Sequence, residues 1–423
     1  MKNLKKRISD YMNHYAKSFP ISGNVLVAIE GRIIFEECYG FSNLEHQVLN
    51  FPTTKFRIAS LTKQFTAALI MILNEKGLLK VEDKLAAFFP KYPEFSNEIT
   101  IHHLLTHTSG IPDYYDCVPT FIDREDKLYL TPDQFISLFK DEPLDFKPGS
   151  DWKYSNSGYL LLGLIIERVT SKKFEEVLND YILTPLDMNS TGCDHQNSIL
   201  ANRAAGYIRP EQVMENAPYV EISKYFSDGG MYSTVRDLLK WDQALYSESV
   251  LSNETLGKIF TPNRNNYGYG WFVETQFERR RVMHAGKISG FVSLIDRYLD
   301  DKVSIIMLGN YDFINWYTIS YGIAAIIFGH PHPSPLKEPY PIFSNLLDSY
   351  LGVYESTDGR RLTVTQEQKK IYFKWGDDSK FEVYPISEVS FRRLCDDVDE
   401  VHTFRKEGNR IKIWEYEKIR QQN

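Results

Sequence analysis

Residues 56–63 read Phe-Arg-Ile-Ala-Ser-Leu-Thr-Lys and run straight into Phe65, Leu69, Ile72 and Leu73, an apolar stripe at helical spacing that stops at Gly77. Three apart at a helix start, Ser60 and Lys63 share one face, with their heavy atoms in hydrogen-bond reach. A serine hydroxyl is a poor nucleophile at neutral pH and needs a neighbouring base. Lysine can serve once desolvation lowers its pKa from about 10.4. The helix start adds unpaired N–H groups and the positive end of the dipole, both of which favour developing negative charge. Alone, Ser-x-x-Lys occurs on many surface helices; here the apolar residues on both sides mark the pair as buried.

Upstream, a helix over Leu4 to Ser18 precedes two apolar strands, Asn24 to Ile29 and Arg32 to Tyr39, joined at Glu30-Gly31, a tight hairpin signal. Downstream, helices are expected over Tyr159 to Val169 and Phe174 to Ile182. Late strands flank Tyr269-Gly-Trp271, His284-Ala-Gly286 and Ser304 to Met307. Strands at both ends with helices between them predict an α/β (α+β) region whose antiparallel sheet joins its first strand to its last. Two further elements carry chemistry. Tyr154-Ser-Asn156 follows the Pro148-Gly149 turn, and in extended backbone Tyr154 and Asn156 face one cavity. A phenol beside a lysine ammonium can be partly ionised and relay a proton, while an Asn amide can hold the lysine and a substrate carbonyl. His284-Ala-Gly286-Lys287 sits in a strand-like run where Gly admits a ligand backbone.

In this order, Ser60-Leu-Thr-Lys63, Tyr154-Ser-Asn156 and His284-Ala-Gly286 resemble the signatures of the serine β-lactamase and penicillin-binding-protein superfamily, in its class C-like branch. Leu104-Leu-Thr-His-Thr-Ser-Gly110, Gly229-Gly-Met-Tyr-Ser-Thr234 and Tyr267-Gly-Tyr-Gly-Trp271 support it, and the set covers roughly residues 20 to 330. The resemblance implies a β-lactamase/transpeptidase-like antiparallel sheet flanked by helices plus an all-helical subdomain. It implies that Ser60 becomes the acyl-enzyme and that Lys63 and Tyr154 share base and acid duties. Asn156 would position substrate, and the N–H groups of Ser60 and Lys287 would form the oxyanion hole. Substrates would be small esters, D-amino-acid amides or peptides, with no cofactor and no metal.

Two positions depart from the family. Many members carry Lys-Thr-Gly at the third motif, where this chain has His284; a largely neutral histidine predicts weaker binding of carboxylate-bearing substrates such as β-lactams, although Lys287 can restore charge. By its spacing after Gly110, Tyr114 falls at a wall of the site where relatives often place an amide. A catalytically weak penicillin-binding or sensing protein, acylated but turning over poorly, is the rival reading.

Pro331, Pro333, Pro335, Pro339 and Pro341 make a stretch that fits neither helix nor sheet and reads as a linker. The expected division is a hydrolase domain over 1–329, a linker over 330–341 and a β domain over 342–423. In the last, Leu362-Thr-Val-Thr, Lys370-Ile-Tyr-Phe-Lys-Trp, Phe381-Glu-Val-Tyr and Arg410-Ile-Lys-Ile-Trp-Glu-Tyr alternate, with turn signals at Asp358-Gly359, Gly376-Asp377 and Gly408-Asn409. They predict a small antiparallel barrel, lipocalin-like as in some relatives, serving as an access gate or a stabilising appendage.

Composition narrows the partners. The 423 residues are 43% hydrophobic and 25% charged, the pattern of a soluble globular chain, and the net charge of −7 supplies no basic field for nucleic acid. The basic start (Lys2, Lys5, Lys6, Arg7) is followed by Ser9, Asp10, Asn13 and His14 rather than an apolar run, so no signal peptide is read. Runs such as Leu160 to Ile166 and Leu69 to Leu73 are too short to span a bilayer. Cys38, Cys117, Cys193 and Cys395 are too scattered for a metal or redox motif, and reduced thiols with a cytoplasmic address are expected. Peripheral membrane contact through the first helix stays open. His103 and His107 are four apart, but the Glu of a zinc-protease motif is missing, and Glu278-Arg-Arg-Arg281 reads as a solvated hairpin.

Overall fold

A computed structural model describes residues 2–90, 92, 94–117, 132–210, 213–222, 225–331, 344–356, 359–367, 370–376, 380–385, 387–394, 399–407, 410–413 and 416–418. Most of the expected linker (332–341), Cys395 and the turn residues Asp358, Asp377, Gly408 and Asn409 lie outside them. The chain forms two compact units, Met1–Met12 with Pro20–His332 and Asn13–Phe19 with Pro333–Asn423.

Helix α1 (Lys2–Ser18) opens the chain. In the first unit, strands β1 (Gly23–Ile29) and β2 (Arg32–Tyr39) form a hairpin. Its turn residues Glu30 and Gly31 take φ of 52° and 73°, the mirror-image turn whose twist matches the strands. Late in the chain come β3 (Phe272–Gln276), β4 (Arg279–Ile288), β5 (Phe291–Tyr298) and β6 (Val303–Gly309). The sheet is antiparallel throughout, in the order β3-β4-β5-β6-β1-β2. The first and last strands do meet: Gly23 lies opposite Gly309 and Ile29 opposite Val303.

Helices α2 (Thr62–Glu75), α3 (Ile101–Leu105), α4 (Asn156–Thr170) and α5 (Phe174–Leu178) pack on one another as a helical subdomain. The helix expected over 174–182 is interrupted: past Leu178 it widens into a π turn, Asn179–Leu183. A second pair of helices, α6 (Val235–Ala244) and α7 (Trp316–Phe328), covers the sheet. Their sides follow from β5, which is buried along its whole length although it contains Asp296-Arg297. Neighbouring strand residues point to opposite faces. Asp296 accepts from Arg281 of β4 and Ser320 of α7, whereas Arg297 pairs with Asp242 of α6. The two helices therefore sandwich the sheet.

In the second unit a short helix, α8 (Ser344–Tyr350), leads into eight strands: β7 (Gly352–Glu355), β8 (Arg361–Glu367), β9 (Lys370–Trp375), β10 (Phe381–Pro385), β11 (Ser390–Leu394), β12 (Asp399–Glu407), β13 (Arg410–Ile413) and β14 (Tyr416–Lys418). Each pairs with the next, and β14 returns to β7, closing an antiparallel barrel. Its buried side chains form one apolar cluster with α8: Tyr350 of the helix stacks on Phe404 with centroids 4.4 Å apart, and Phe373, Phe391, Tyr354 and Ile413 belong to the same cluster. Among the described residues no helix is long and apolar enough to cross a membrane, and Cys38, Cys117 and Cys193 are free thiols.

The Asp242–Arg297 pair, fully buried on both sides, ties α6 to the centre of the sheet. Removing one partner leaves the other charge buried and uncompensated, so Asp242→Ala should lower the unfolding free energy by about 3–5 kcal/mol in urea titrations. A loss under about 1 kcal/mol would show that the pair does not hold this layer together.

Candidate active site

Ser60 sits in a single 3₁₀ turn, Ala59–Leu61, between the short strand Phe56–Arg57 and α2. Ala59, almost fully buried, has a φ of +47°, a left-handed conformation that costs a side-chain-bearing residue on the order of 1 kcal/mol. The turn is pinned on several sides. Ile58 N–H donates to Met231 O (2.9 Å), and Ser293 Oγ donates to Ile58 O (2.7 Å). Gly286 of β4 lies so close that a Cβ there would stand 2.4 Å from Ile58 O and 2.8 Å from Ser60 N, so no other residue fits without moving the nucleophile.

In the first turn of α2, Lys63 is completely buried. Its Nζ donates to Ser60 Oγ (3.1 Å), Asn156 Oδ1 (2.7 Å) and the backbone oxygen of Asp228 (2.8 Å), using all three protons of the ammonium form. The faces of Tyr154 and Tyr159 lie 4.9 and 5.6 Å from it. Burial pulls the lysine pKa down to about 8, and the carboxylates of Asp228 and Asp113 keep it from falling further.

Tyr154 and Asn156 converge on this lysine, as the motif spacing predicts. Ser155 between them caps α4, accepting from Gly158 N–H at 3.3 Å. Asn156 has its amide orientation fixed by Asp113, whose Oδ2 accepts from both its N–H and its Nδ2, each at 2.8 Å. Tyr154 is hydrogen-bonded to Ser60, but burial pushes its pKa well above the ordinary phenol value, with Asp228 and Asp113 adding to the rise. The expectation of a partly ionised phenol is not met: this phenol is held neutral.

Tyr114 does not line an open wall. It is fully buried and donates its hydroxyl to Asp228 Oδ2 at 2.9 Å. Asp113 and Asp228, which the sequence reading passed over, are the two carboxylates nearest the lysine. Their only local signals are their places beside Tyr114 and beside the Gly229-Gly230 motif. His107, which the sequence reading weighed with His103 as a metal pair and placed in the Leu104–Gly110 segment, is set in left-handed backbone (φ +59°) beyond the end of α3, so it shares no helix face with His103. Its Nδ1 accepts from Ser155 N–H (3.1 Å), and its ring packs on Tyr154 at 4.3 Å between centroids and on Tyr267 at 4.6 Å.

At the third motif, His284 is buried, bridging Tyr267 OH (3.0 Å) and Ala285 O (2.7 Å). Burial, reinforced by the nearby Lys63 charge, drops its pKa to about 3, so it contributes no positive charge. Lys287 is exposed at the same strand end, and β3 pairs with β4 only as far as Met283. Ser60, Lys63, Tyr154, Asn156 and Gly286 are thus brought into direct contact. His284 is held through Tyr267, and Tyr114 reaches the group through Asp228.

Among the described residues no group of three or more His, Cys, Asp or Glu side chains is placed to hold a metal ion. His102 bonds Tyr269 OH (2.8 Å), and His103 caps its own helix by accepting from Thr100 N–H. The arginine run is not wholly solvated, contrary to expectation. Arg281 alternates inward on β4 and pairs, buried, with Asp296 and Glu274.

Comparison with known proteins places the chain in a family. Residues 13–319 match the family model described as Beta-lactamase. Penicillin-binding protein 4* of Bacillus subtilis is 29% identical over 416 residues, covering 92% of this chain and 91% of its own. The octameric penicillin-binding protein homologue from Pyrococcus abyssi superposes with a TM-score of 0.72 at 26% identity, over 97% of this chain and 99% of its own. The D-amino acid amidase from Ochrobactrum anthropi SV3, complexed with D-phenylalanine, shares the fold with a TM-score of 0.68 at 23% identity, over 77% of this chain and 99% of its own.

The buried imidazoles make stability sensitive to acid. His284 has a folded pKa of about 3, and His107 is lowered well below its ordinary value by burial. Between pH 6.5 and the folded value the unfolded chain binds protons that the native chain refuses. Stability is therefore complete above pH 6.5 and falls as pH drops, by up to about 1.4 kcal/mol per unit per histidine. Asp228, raised to about 6 by burial, acts in the opposite sense and offsets part of the fall. Urea unfolding from pH 7 to 5 should show a falling midpoint, and His284→Asn a shallower one; a midpoint that rises on acidification would contradict this assignment.

Proposed function

From a chain that belongs to the beta-lactamase family, we propose a serine hydrolase that works through an acyl-enzyme on Ser60. Its substrates are esters, D-amino-acid amides or peptides, and the hydrolase domain is assigned to residues 1–329. The observation that carries this reading is the contact between Lys63 Nζ and Ser60 Oγ at 3.1 Å, inside a site where the lysine is fully buried. With its pKa lowered from 10.5 to about 8, the neutral fraction of Lys63 at pH 7 rises roughly three-hundredfold.

In its neutral form Lys63 accepts the proton of Ser60 Oγ as that oxygen bonds to the substrate carbonyl carbon. The carbonyl oxygen takes the negative charge, supported by the N–H groups of Ser60 and Lys287. Each such donor is worth about 3 kcal/mol of barrier. Tyr154 stays neutral in the resting site and hydrogen-bonds Ser60, which suits it to protonate the departing oxygen or nitrogen and recover the proton through Lys63. Water then adds to the acyl-enzyme, the same groups run in reverse, and free acid and Ser60 are released. Asn156, clamped by Asp113, holds the lysine and keeps an amide at the site for the substrate.

The charge pattern points to the substrate class. Asp113 and Asp228 face one lysine, and His284 and His107 are neutral, so acyl groups without a carboxylate beside the reacting carbonyl are favoured. D-amino-acid amides fit this pattern, the substrate type in the name of the Ochrobactrum neighbour.

Mass spectrometry after incubation with a fluorophosphonate, a p-nitrophenyl ester and a penicillin should find an adduct on Ser60 that is absent in Ser60→Ala. The ester should turn over faster than the penicillin. Lys63→Ala should slow acylation by about 10²–10⁴-fold. No label on Ser60 from any probe would sink the mechanism, and a stoichiometric burst with no further turnover would favour an acylated sensor.

A further inference from the structure

Other buried aspartates of the first unit are paired with cations: Asp194 with Arg57 and Arg203, Asp242 with Arg297, Asp296 with Arg281 and Asp237 with Lys240. Among the described residues, Asp113 and Asp228 beside the nucleophile have no arginine, and Asp228 is the less satisfied of the two. It is 2% exposed, and its carboxylate accepts from Tyr114 at Oδ2 (2.9 Å), with its own backbone N–H also turned to it. Oδ1 is buried with no hydrogen-bond partner among the described residues. Burying a carboxylate with one of its oxygens unmatched costs several kcal/mol, an arrangement with little to recommend it as a brace. Yet its own backbone oxygen holds Lys63 Nζ at 2.8 Å, and its carboxylate lies within Coulombic range of that ammonium.

We propose that Asp228, oriented by Tyr114, is a positioning residue that acts on Ser60 through Lys63. Its carbonyl aims the ammonium, and its carboxylate is the counter-charge that sets how readily the lysine yields its proton. The chain of contacts is Tyr114 to Asp228 to Lys63 to Ser60, and it rests on the acyl-enzyme reading given above.

The other groups facing Lys63 leave Asp228 this role. From the segment before α4 and from α4 itself come Tyr154 and Tyr159, both kept neutral by burial. From beyond α3 comes His107 and from β4 comes His284, both neutral for the same reason. The remaining charged group is Asp113, and it is already engaged. Its two oxygens accept from Asn156 N–H, Asn156 Nδ2 and Tyr115 N–H. Asp228 is therefore the carboxylate whose charge can vary without dismantling the asparagine clamp. Tyr114 biases that charge, because a hydrogen bond to the ionised form favours it.

The test is the pH dependence of Ser60 labelling by a fluorophosphonate in the full-length wild type, Asp228→Asn and Tyr114→Phe, with thermal midpoints measured alongside. Asn keeps the backbone carbonyl and an acceptor for Tyr114 while removing the charge. Without that charge Lys63 loses its proton at lower pH, so the rising limb of the profile should move down by about one pH unit. Tyr114→Phe, which lets Asp228 hold its own proton longer, should move it the same way by less. It keeps the test open should the Asn variant fail to fold. The inference is overturned if folded variants show a limb superimposable on the wild type or displaced upward. If the wild type is not labelled on Ser60, the acyl-enzyme reading falls and takes the inference with it. Labelling with an unmoved limb removes the inference alone.

Discussion

An ammonium group taken fully out of water is the constraint around which this molecule is organised. Left alone, Lys63 would meet a desolvation cost of several kcal/mol and simply give up its proton. Instead it is met by three acceptors drawn from distant parts of the chain: Ser60 one turn away, Asn156 at the head of α4 and the backbone of Asp228. Two aromatic faces and two carboxylates complete its surroundings. For those groups to converge, α2 must pack against α4, the 225–230 segment must cross both, and β4 must press Gly286 onto the Ser60 turn. Much of the first unit can be read as the apparatus that holds one lysine between its charged and neutral forms.

That balance explains why the site contains so many ionisable groups and so little fixed charge. Tyr154, Tyr159 and Tyr267 are raised by burial, and His107 and His284 are lowered by it, so all five are neutral near pH 7. Low dielectric then magnifies the few charges that remain, Lys63 and its carboxylates. A histidine at the third motif is consistent with this logic. A permanent cation there would push the lysine pKa down further and upset the balance that Asp228 and Asp113 maintain.

How much of this was legible in the sequence depended on the range of the interaction. Ser60 and Lys63 are three apart on one helix, and Tyr154 and Asn156 two apart at a cap, so local periodicity sufficed. The hairpin at Glu30-Gly31 and the meeting of β1 with β6 followed from turn chemistry and strand order. Asp228 and Asp113 were invisible for the opposite reason. Their partners lie at separations of 165 residues for the lysine contact and 43 for the asparagine, and an aspartate beside glycines reads as a turn. Arg281 failed similarly, its role being set by Asp296 on the next strand. In the second unit the four runs with clean alternation fall in β8, β9, β10 and the β13–β14 hairpin, whereas Ser390–Leu394 and Gly352–Glu355 are too short or irregular to announce themselves.

Aromatic packing among the described residues dominates the core of the second unit. A barrel that carries a ligand needs an apolar cavity, yet here Tyr350, Phe373, Phe391 and Phe404 meet ring to ring, with Phe391 and Phe404 edge-on at 5.4 Å. Small eight-stranded barrels have room for side chains or for one small ligand, and the described residues of this one bring aromatic side chains together in its core. The chemistry stays with the first unit, where a buried lysine has its partners within a few ångströms.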